Sequence, residues 1–315
     1  MRDEALDFLK GVCICLVVYA HLPMDGQWHD GLHSFAGFLY TFHIYIFVLI
    51  TGFLFAQTIK TKRANILKVV NRMFKPYFMV APLNWLLYYI AQRFGVETST
   101  GVSANTLDAI ANIIRGDGGG ALWYLYTFGL LEVIFVILWK AFLRFSNCNY
   151  AVFVSSCLSC MIIYNLKRFG LYINDVCAHF FYVGLLIGTW KDNMPRNGWL
   201  IFLVPLAYIA SSDVLGMMPI HIIFVLTIAM GMIGCWEHIK GGEISKIIVK
   251  IGRHSLAILI FHPIITTLSR LLFRPILSIE STGILLSVII LFADVGLSIL
   301  IENLMRRARI NKLIF

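Results

Sequence analysis

Lys10 and His21 stand eleven residues apart in a run, Leu6 to Leu22, whose other members are apolar apart from Asp7. Eleven residues at 100° each return to within about 20° of the starting direction, so on a helix Lys10, Ile14, Val17 and His21 form one stripe about 16 Å long. A histidine is the usual general base near neutral pH, and a lysine is a fixed positive charge. Placing either in hydrocarbon is costly, so the stripe must face a bundle interior or a water-filled cavity, where ionisable groups mark a pathway or a reacting site. His43 lies about ten residues into the next apolar run, in Phe42-His43-Ile44-Tyr45-Ile46-Phe47. Further along, Glu132, Asp175, His179, His262 and Asp294 interrupt apolar runs singly or in pairs. Asp175 and His179 are four apart, close enough on one helical face for a carboxylate to orient an imidazole. A scattered polar residue in a span most often hydrogen-bonds a neighbouring helix, and His179 and His262 are assigned mainly to that role. His21 and His43, on consecutive runs, can converge on one cavity.

The elements that carry these residues are membrane helices. Hydrophobic residues make up 59% of the 315 residues and charged ones 14%, well below the roughly 25% charged content of soluble domains, and the mean hydropathy is +0.80. The apolar runs are long enough to cross a hydrocarbon layer of about 30 Å as helices. The chain reads as an all-α polytopic membrane protein with about ten spans, near residues 6–22, 34–57, 76–94, 121–143, 150–166, 171–190, 198–211, 217–236, 255–273 and 283–304. With both termini cytoplasmic, 20 of the 26 lysines and arginines fall on the cytoplasmic side of this scheme, as the positive-inside rule requires. The net charge of +9 is therefore a topology signal and does not indicate nucleic-acid binding. The first run lacks a small-residue cleavage site and reads as an uncleaved anchor. One membrane domain is expected over 1–315, without repeats or low-complexity tracts.

Three connections are more than turns. Residues 60–75 interleave Lys62, Arg63, Lys68 and Arg72 with Ile66, Leu67, Val69, Val70, Met73 and Phe74, the pattern of a basic amphipathic helix in the cytoplasmic interface. It suits either anionic lipid or the phosphates of a nucleotide-bearing donor. The extracytoplasmic loop 95–120 carries a short helix near Ala104 to Arg115 and the glycine run Gly118–Gly120, which lacks the lysine and hydroxyl of a phosphate loop and reads as a flexible lid or acceptor-site loop. A third segment, Glu237 to His254, is charged and cytoplasmic. Cys157 and Cys160 are one turn apart, but no histidine or second cysteine pair accompanies them at metal spacing, and no metal is expected.

The residues also resemble a known family. Asp7-Phe8-Leu9-Lys10-Gly11, Leu16-Val17-Val18-Tyr19-Ala20-His21, Phe42 to Phe47 and Thr51-Gly52-Phe53-Leu54, in that order, resemble the acyltransferase family 3 proteins. So do Asn71 to Tyr77, Leu122-Trp123-Tyr124-Leu125, Ile251 to Ser255, and Phe261-His262. Many members have arginine where this chain has Lys10 and serine where it has Thr51; lysine keeps the charge but not the planar fork. The resemblance implies an integral-membrane O-acyltransferase of the stand-alone type in a bacterial-type inner membrane. Such a protein moves an acyl group, usually acetyl, from acetyl-coenzyme A to a hydroxyl of a surface or polyprenyl-linked carbohydrate. Its partners would be the donor, the carbohydrate and membrane lipid, with room for a homo-oligomer. On this reading His21 and His43 are catalytic: His21 deprotonates the hydroxyl or carries the acyl group, and His43 lines the same cavity and stabilises the oxyanion or orients the thioester. Lys10, Arg72 and Lys75 hold the donor, and Asp7, Trp123, Glu132 and His262 line the substrate cavity. The competing reading is a transporter or flippase of lipid-linked glycans, with Glu132, Asp175, His179 and Asp294 as proton or substrate sites.

Overall fold

Asp3 opens the first helix by accepting the amide of Ala5 at 2.9 Å, which satisfies one of the donors a helix start leaves free. From there α1 runs Glu4–Ala20 and closes on His21, whose amide returns to the Val18 carbonyl at 3.0 Å. The computed structural model describes residues 3–22, 37–61, 63–95, 105–145, 147–203, 218–277, 280–310 and 314. Among these residues all regular structure is helical.

Among the described residues six stretches are long and apolar enough to cross a membrane: Gly37–Lys60, Gly120–Phe142, Cys148–Arg168, Met218–Ile239, Ser255–Phe273 and Leu285–Arg307. Three more expected spans are present as helices but fall short by these criteria. α1 has 17 residues and Asp175–Trp190 has 16, while Lys75–Arg93 carries Asn84, Gln92 and Arg93 among its apolar residues. The run expected at 198–211 begins instead as a 3-10 turn, Gly198–Leu203, and its remainder lies outside the described residues.

The second span is broken at Thr41 and Phe42, so that α2, His43–Lys60, starts on the histidine itself. The next segment opens as α3, Ile66–Val69, capped by Asn65 at 2.9 Å from the Leu67 amide. It widens into a π turn, Val70–Phe74, and continues as α4, Lys75–Arg93. Proline supplies the physical cause: Pro76 has no N–H to offer the Arg72 carbonyl, so the regular ladder cannot pass through this point. α5, Thr106–Arg115, matches the short helix expected in loop 95–120 and ends at Gly116, whose φ of 108° only glycine adopts easily. A 3-10 turn, Gly120–Leu122, leads into α6, Trp123–Phe142, followed by α7, Cys148–Arg168, and α8, Asp175–Trp190. α9 is Met218–Ile239, α10 Glu243–Arg253, α11 Ser255–Leu277 and α12 Glu280–Arg307.

Two close helix pairs hold the site in place. α2 packs on α8 with Gly52 against the Phe181 carbonyl and with Gly184 and Gly188 against the carbonyls of Leu49 and Phe53, where any Cβ would overlap backbone. Small residues at such crossings let helices approach in a membrane, where dispersion and weak polar contacts replace the hydrophobic effect. α1 packs on α10 in the same way, with Gly11 against Ile248 and Gly252 against Asp7.

Candidate active site

Three imidazoles gather around the end of α1. His21 caps that helix, His43 starts α2, and His262 lies in the first half of α11. The His21 and His262 ring centroids are 5.3 Å apart. Tyr40 bridges the other two, 6.4 Å from His21 and 5.1 Å from His43. His43 and His262 are fully buried, whereas His21 is partly exposed.

The three rings share one hydrogen-bonding pattern. The Nδ1 of each is bonded to the carbonyl four residues back: His21 to Val17 at 2.7 Å, His262 to Ile258 at 2.8 Å, and His43 to Leu39. A carbonyl can only accept, so Nδ1 donates and each neutral ring presents Nε2 as a lone pair. The Nε2 atoms of His43 and His262 are buried without a partner among the described residues. Native interiors seldom leave a polar atom in that condition unless something else is meant to fill it.

A cavity of about 30 Å³ opens beside His21, lined by Ile14 and Val17 of α1, Ile44 and Phe47 of α2, Ala121, Trp123 and Tyr124 at the start of α6, and Leu259. It has room for at least a water-sized group beside the His21 ring. Tyr124 is fixed by a 2.7 Å hydrogen bond to Thr51, whose hydroxyl donates to the Phe47 carbonyl at 2.9 Å. A second cavity, of about 480 Å³, lies at the other end of α1, lined by Asp3, Leu6, Asp7 and Lys10, by Phe53, Leu54 and Gln57 of α2, and by Asp192 and Asn193. The stripe Lys10, Ile14, Val17, His21 therefore touches both cavities in turn, in the groove between α1 and α2.

The remaining expected site residues are placed as follows. Asp7 is buried and paired with Lys10 at 2.7 Å, with Arg253 3.5 Å away. Trp123 lines the small cavity. Glu132 is buried on α6, nine residues past Trp123, and is held by Arg72 from the π turn. Arg72 stays about half exposed beyond that pair, and Lys75, partly buried, begins α4. His262 departs from the bond to a neighbouring helix expected of it: its Nδ1 donates to Ile258 of its own helix, and its ring meets His21, which the spacing of one late histidine could not reveal. The Asp175–His179 pairing gives way to a different one: Asp175 takes Lys167 at 2.5 Å, and His179 is exposed. The glycine run is no lid. A Cβ on Gly118 would meet the Tyr77 ring, and one on Gly120 would meet Tyr88 and Pro263, so the strap is pressed between α4 and α11. Tyr40, Thr51 and Tyr124 join the site without having been singled out for it. Thr51 and Tyr124 sit inside family motifs, and Tyr40 stands three residues before His43. Among the described residues no group of three or more His, Cys, Asp or Glu side chains is arranged to hold a metal.

Fold and site together define a helical membrane protein with proton-accepting imidazoles in its interior. The acyltransferase family 3 model, described as an acyltransferase domain, matches residues 3–303. The chain belongs to that family and is a membrane acyltransferase. No curated protein and no solved structure matches it.

Proposed function

We propose that the protein is an O-acyltransferase of the inner membrane of a bacterial-type cell, moving an acyl group, acetyl in the expected case, from acyl-coenzyme A to a hydroxyl of a surface or lipid-linked carbohydrate. The observation that carries this reading is the His21 ring, whose tautomer is set by Val17 and whose Nε2 lone pair is free at the edge of a cavity. A sugar hydroxyl is a poor nucleophile until a base accepts its proton, a service worth about 10²–10⁴ in rate. In the reaction the hydroxyl proton passes to His21 Nε2, the oxygen bonds to the thioester carbonyl carbon, the carbon–sulfur bond breaks, and the proton returns to the leaving sulfur. The same lone pair can instead take the acyl group and release it to the hydroxyl in a second step, which a burst of free coenzyme thiol without acceptor would reveal.

The oxyanion needs donors, and lone-pair imidazoles are not donors. His43 can serve the oxyanion only when doubly protonated; as a neutral ring it orients a hydroxyl. The start of α6, where Ala121 and Trp123 line the small cavity, offers a helix N-terminus for the negative charge. On the donor side, the larger cavity at Lys10 suits the pantetheine arm. The half-exposed Arg72, oriented by Glu132, and Lys75 suit the phosphates. On this reading the Lys10 end of α1 is the cytoplasmic one.

The test is mass spectrometry of surface and lipid-linked glycans from a deletion strain complemented with wild type, His21→Ala or His21→Gln. Glutamine keeps a hydrogen bond of similar reach but takes no proton. Loss of acylation in both variants at normal membrane levels is expected, and near-normal acylation by His21→Gln would remove the base from this position.

A further inference from the structure

We propose that the small cavity beside His21 is the pocket for the acyl chain of the donor, and that Leu259 sets how long that chain can be. The inference rests on the reading of His21 as the base. Ile14 and Val17 of α1, Ile44 and Phe47 of α2 and Leu259 of α11 wall the cavity, and apart from His21 every lining side chain is aliphatic or aromatic. Tyr124 brings a hydroxyl, but its proton is already spent. The Thr51 hydroxyl donates to the Phe47 carbonyl at 2.9 Å, so in the 2.7 Å bond between Thr51 and Tyr124 the tyrosine is the donor.

Walls of this kind choose among the parts of the two substrates. A sugar is covered in hydroxyls and the pantetheine arm carries amides, and sealing either against hydrocarbon without hydrogen-bond partners is unfavourable. The acyl chain is the apolar fragment. It is also joined to the carbon that the acceptor oxygen attacks, so a chain seated here holds the reacting carbonyl beside His21. The cavity, of about 30 Å³, has room for at least a methyl-sized group, and its walls decide how far a longer chain can go. Most of those walls have another duty. Ile14 and Val17 continue the stripe from Lys10, Phe47 accepts the Thr51 proton with its carbonyl, and Ala121 and Trp123 stand at the start of α6. Leu259 has none of these. It is a buried side chain on α11, three residues before His262, and shortening it enlarges the pocket without removing a side-chain hydrogen bond of the site.

The experiment measures kcat/KM for acetyl-, propionyl- and butyryl-coenzyme A with a soluble acceptor, in purified wild type, Leu259→Ala and Leu259→Phe. The readout is the butyryl-to-acetyl ratio, which does not depend on how much of each variant is folded. Leu259→Ala is expected to raise that ratio about tenfold, the least that a methylene in an apolar pocket is usually worth, and Leu259→Phe to lower it. A ratio unmoved in both variants overturns the proposal. Leu259→Met, of similar volume, should stay near wild type; a rise equal to that of Leu259→Ala overturns the proposal as well, because it would assign the effect to loosened packing. If Leu259→Ala does not fold, Leu259→Val decides in its place, with a smaller rise expected and an unmoved ratio fatal. Absence of transfer from all three donors in the wild type would bring down the reaction itself, whereas transfer with an unmoved ratio brings down only the pocket.

Discussion

The two ends of α1 treat buried polarity in opposite ways. At its start Asp7 is closed off by Lys10 and Arg253, Glu4 holds Arg253 at 2.7 Å, and Asp3 shares Arg196 with Glu237. These pairs tie α1 to α9, to α10 and to the segment after α8. A similar clamp joins the junction of α10 and α11 to α12, where Glu302 receives His254 at 2.7 Å and, within α12, Arg306 at 2.5 Å. At the other end of α1 stand rings whose accepting atoms are left open inside the protein. Paired charges hold a shape, whereas an open acceptor raises the energy of the resting state and gains only when a ligand arrives. On the proposed function, the difference separates residues that build the protein from residues reserved for substrate.

Changes at the two ends should therefore be felt in different measurements. The largest effect belongs to His21→Ala, expected to lower acyl transfer about 10²–10⁴-fold while the unfolding temperature in detergent stays within a few degrees of wild type. A large drop in that temperature would erase the distinction between the two ends. Next comes Arg72→Ala, which strands the buried Glu132 carboxylate. A fully buried pair broken in this way costs about 3–5 kcal/mol, and the half exposure of Arg72 should bring the loss to roughly 2 kcal/mol. Thermal unfolding should recover in the Arg72→Ala, Glu132→Leu double variant. Acyl-coenzyme A affinity measured by calorimetry on that stable background should remain low, and in the wild type it should fall with salt. Unaltered affinity would free Arg72 of any donor role. Asp7→Asn keeps size but gives up its charge toward Lys10 and Arg253, and about 1–2 kcal/mol of stability should go with it. The smallest effect should be that of Lys246→Ala, whose exposed pair with Glu243 at 2.6 Å is worth less than about 0.5 kcal/mol.

Much of this arrangement can be read from residue order. The apolar runs mark the helices because a span must satisfy its own backbone bonds over a fixed thickness, and the Lys10 to His21 stripe follows from 3.6 residues per turn. His21 and His43 are visible because a titratable group in an apolar run has few structural excuses. What stays hidden is pairing across distance. Nothing local says that His262 meets His21 rather than another helix, or that Arg72 will reach Glu132, sixty residues on. Asp175 shows the opposite error: a partner four residues away is plausible by period, yet Lys167, eight residues back across a turn, reaches it first. The glycine run misleads for a similar reason. Three glycines in a row suggest freedom when read alone, but here the missing side chains admit Tyr77, Tyr88 and Pro263.

The π turn at Val70–Phe74 has a consequence for how this enzyme could diversify. Such a turn is a helix with one residue more than the ladder needs, so losing a single residue there would tighten the winding up to the gap that Pro76 leaves and swing everything before it by about a quarter turn or more relative to α4. Arg72 lies inside that stretch and Lys75 just beyond it. One inserted or deleted codon would thus rotate one cation against the other and retune what the pair can grip, without touching the imidazoles at the far end of the groove.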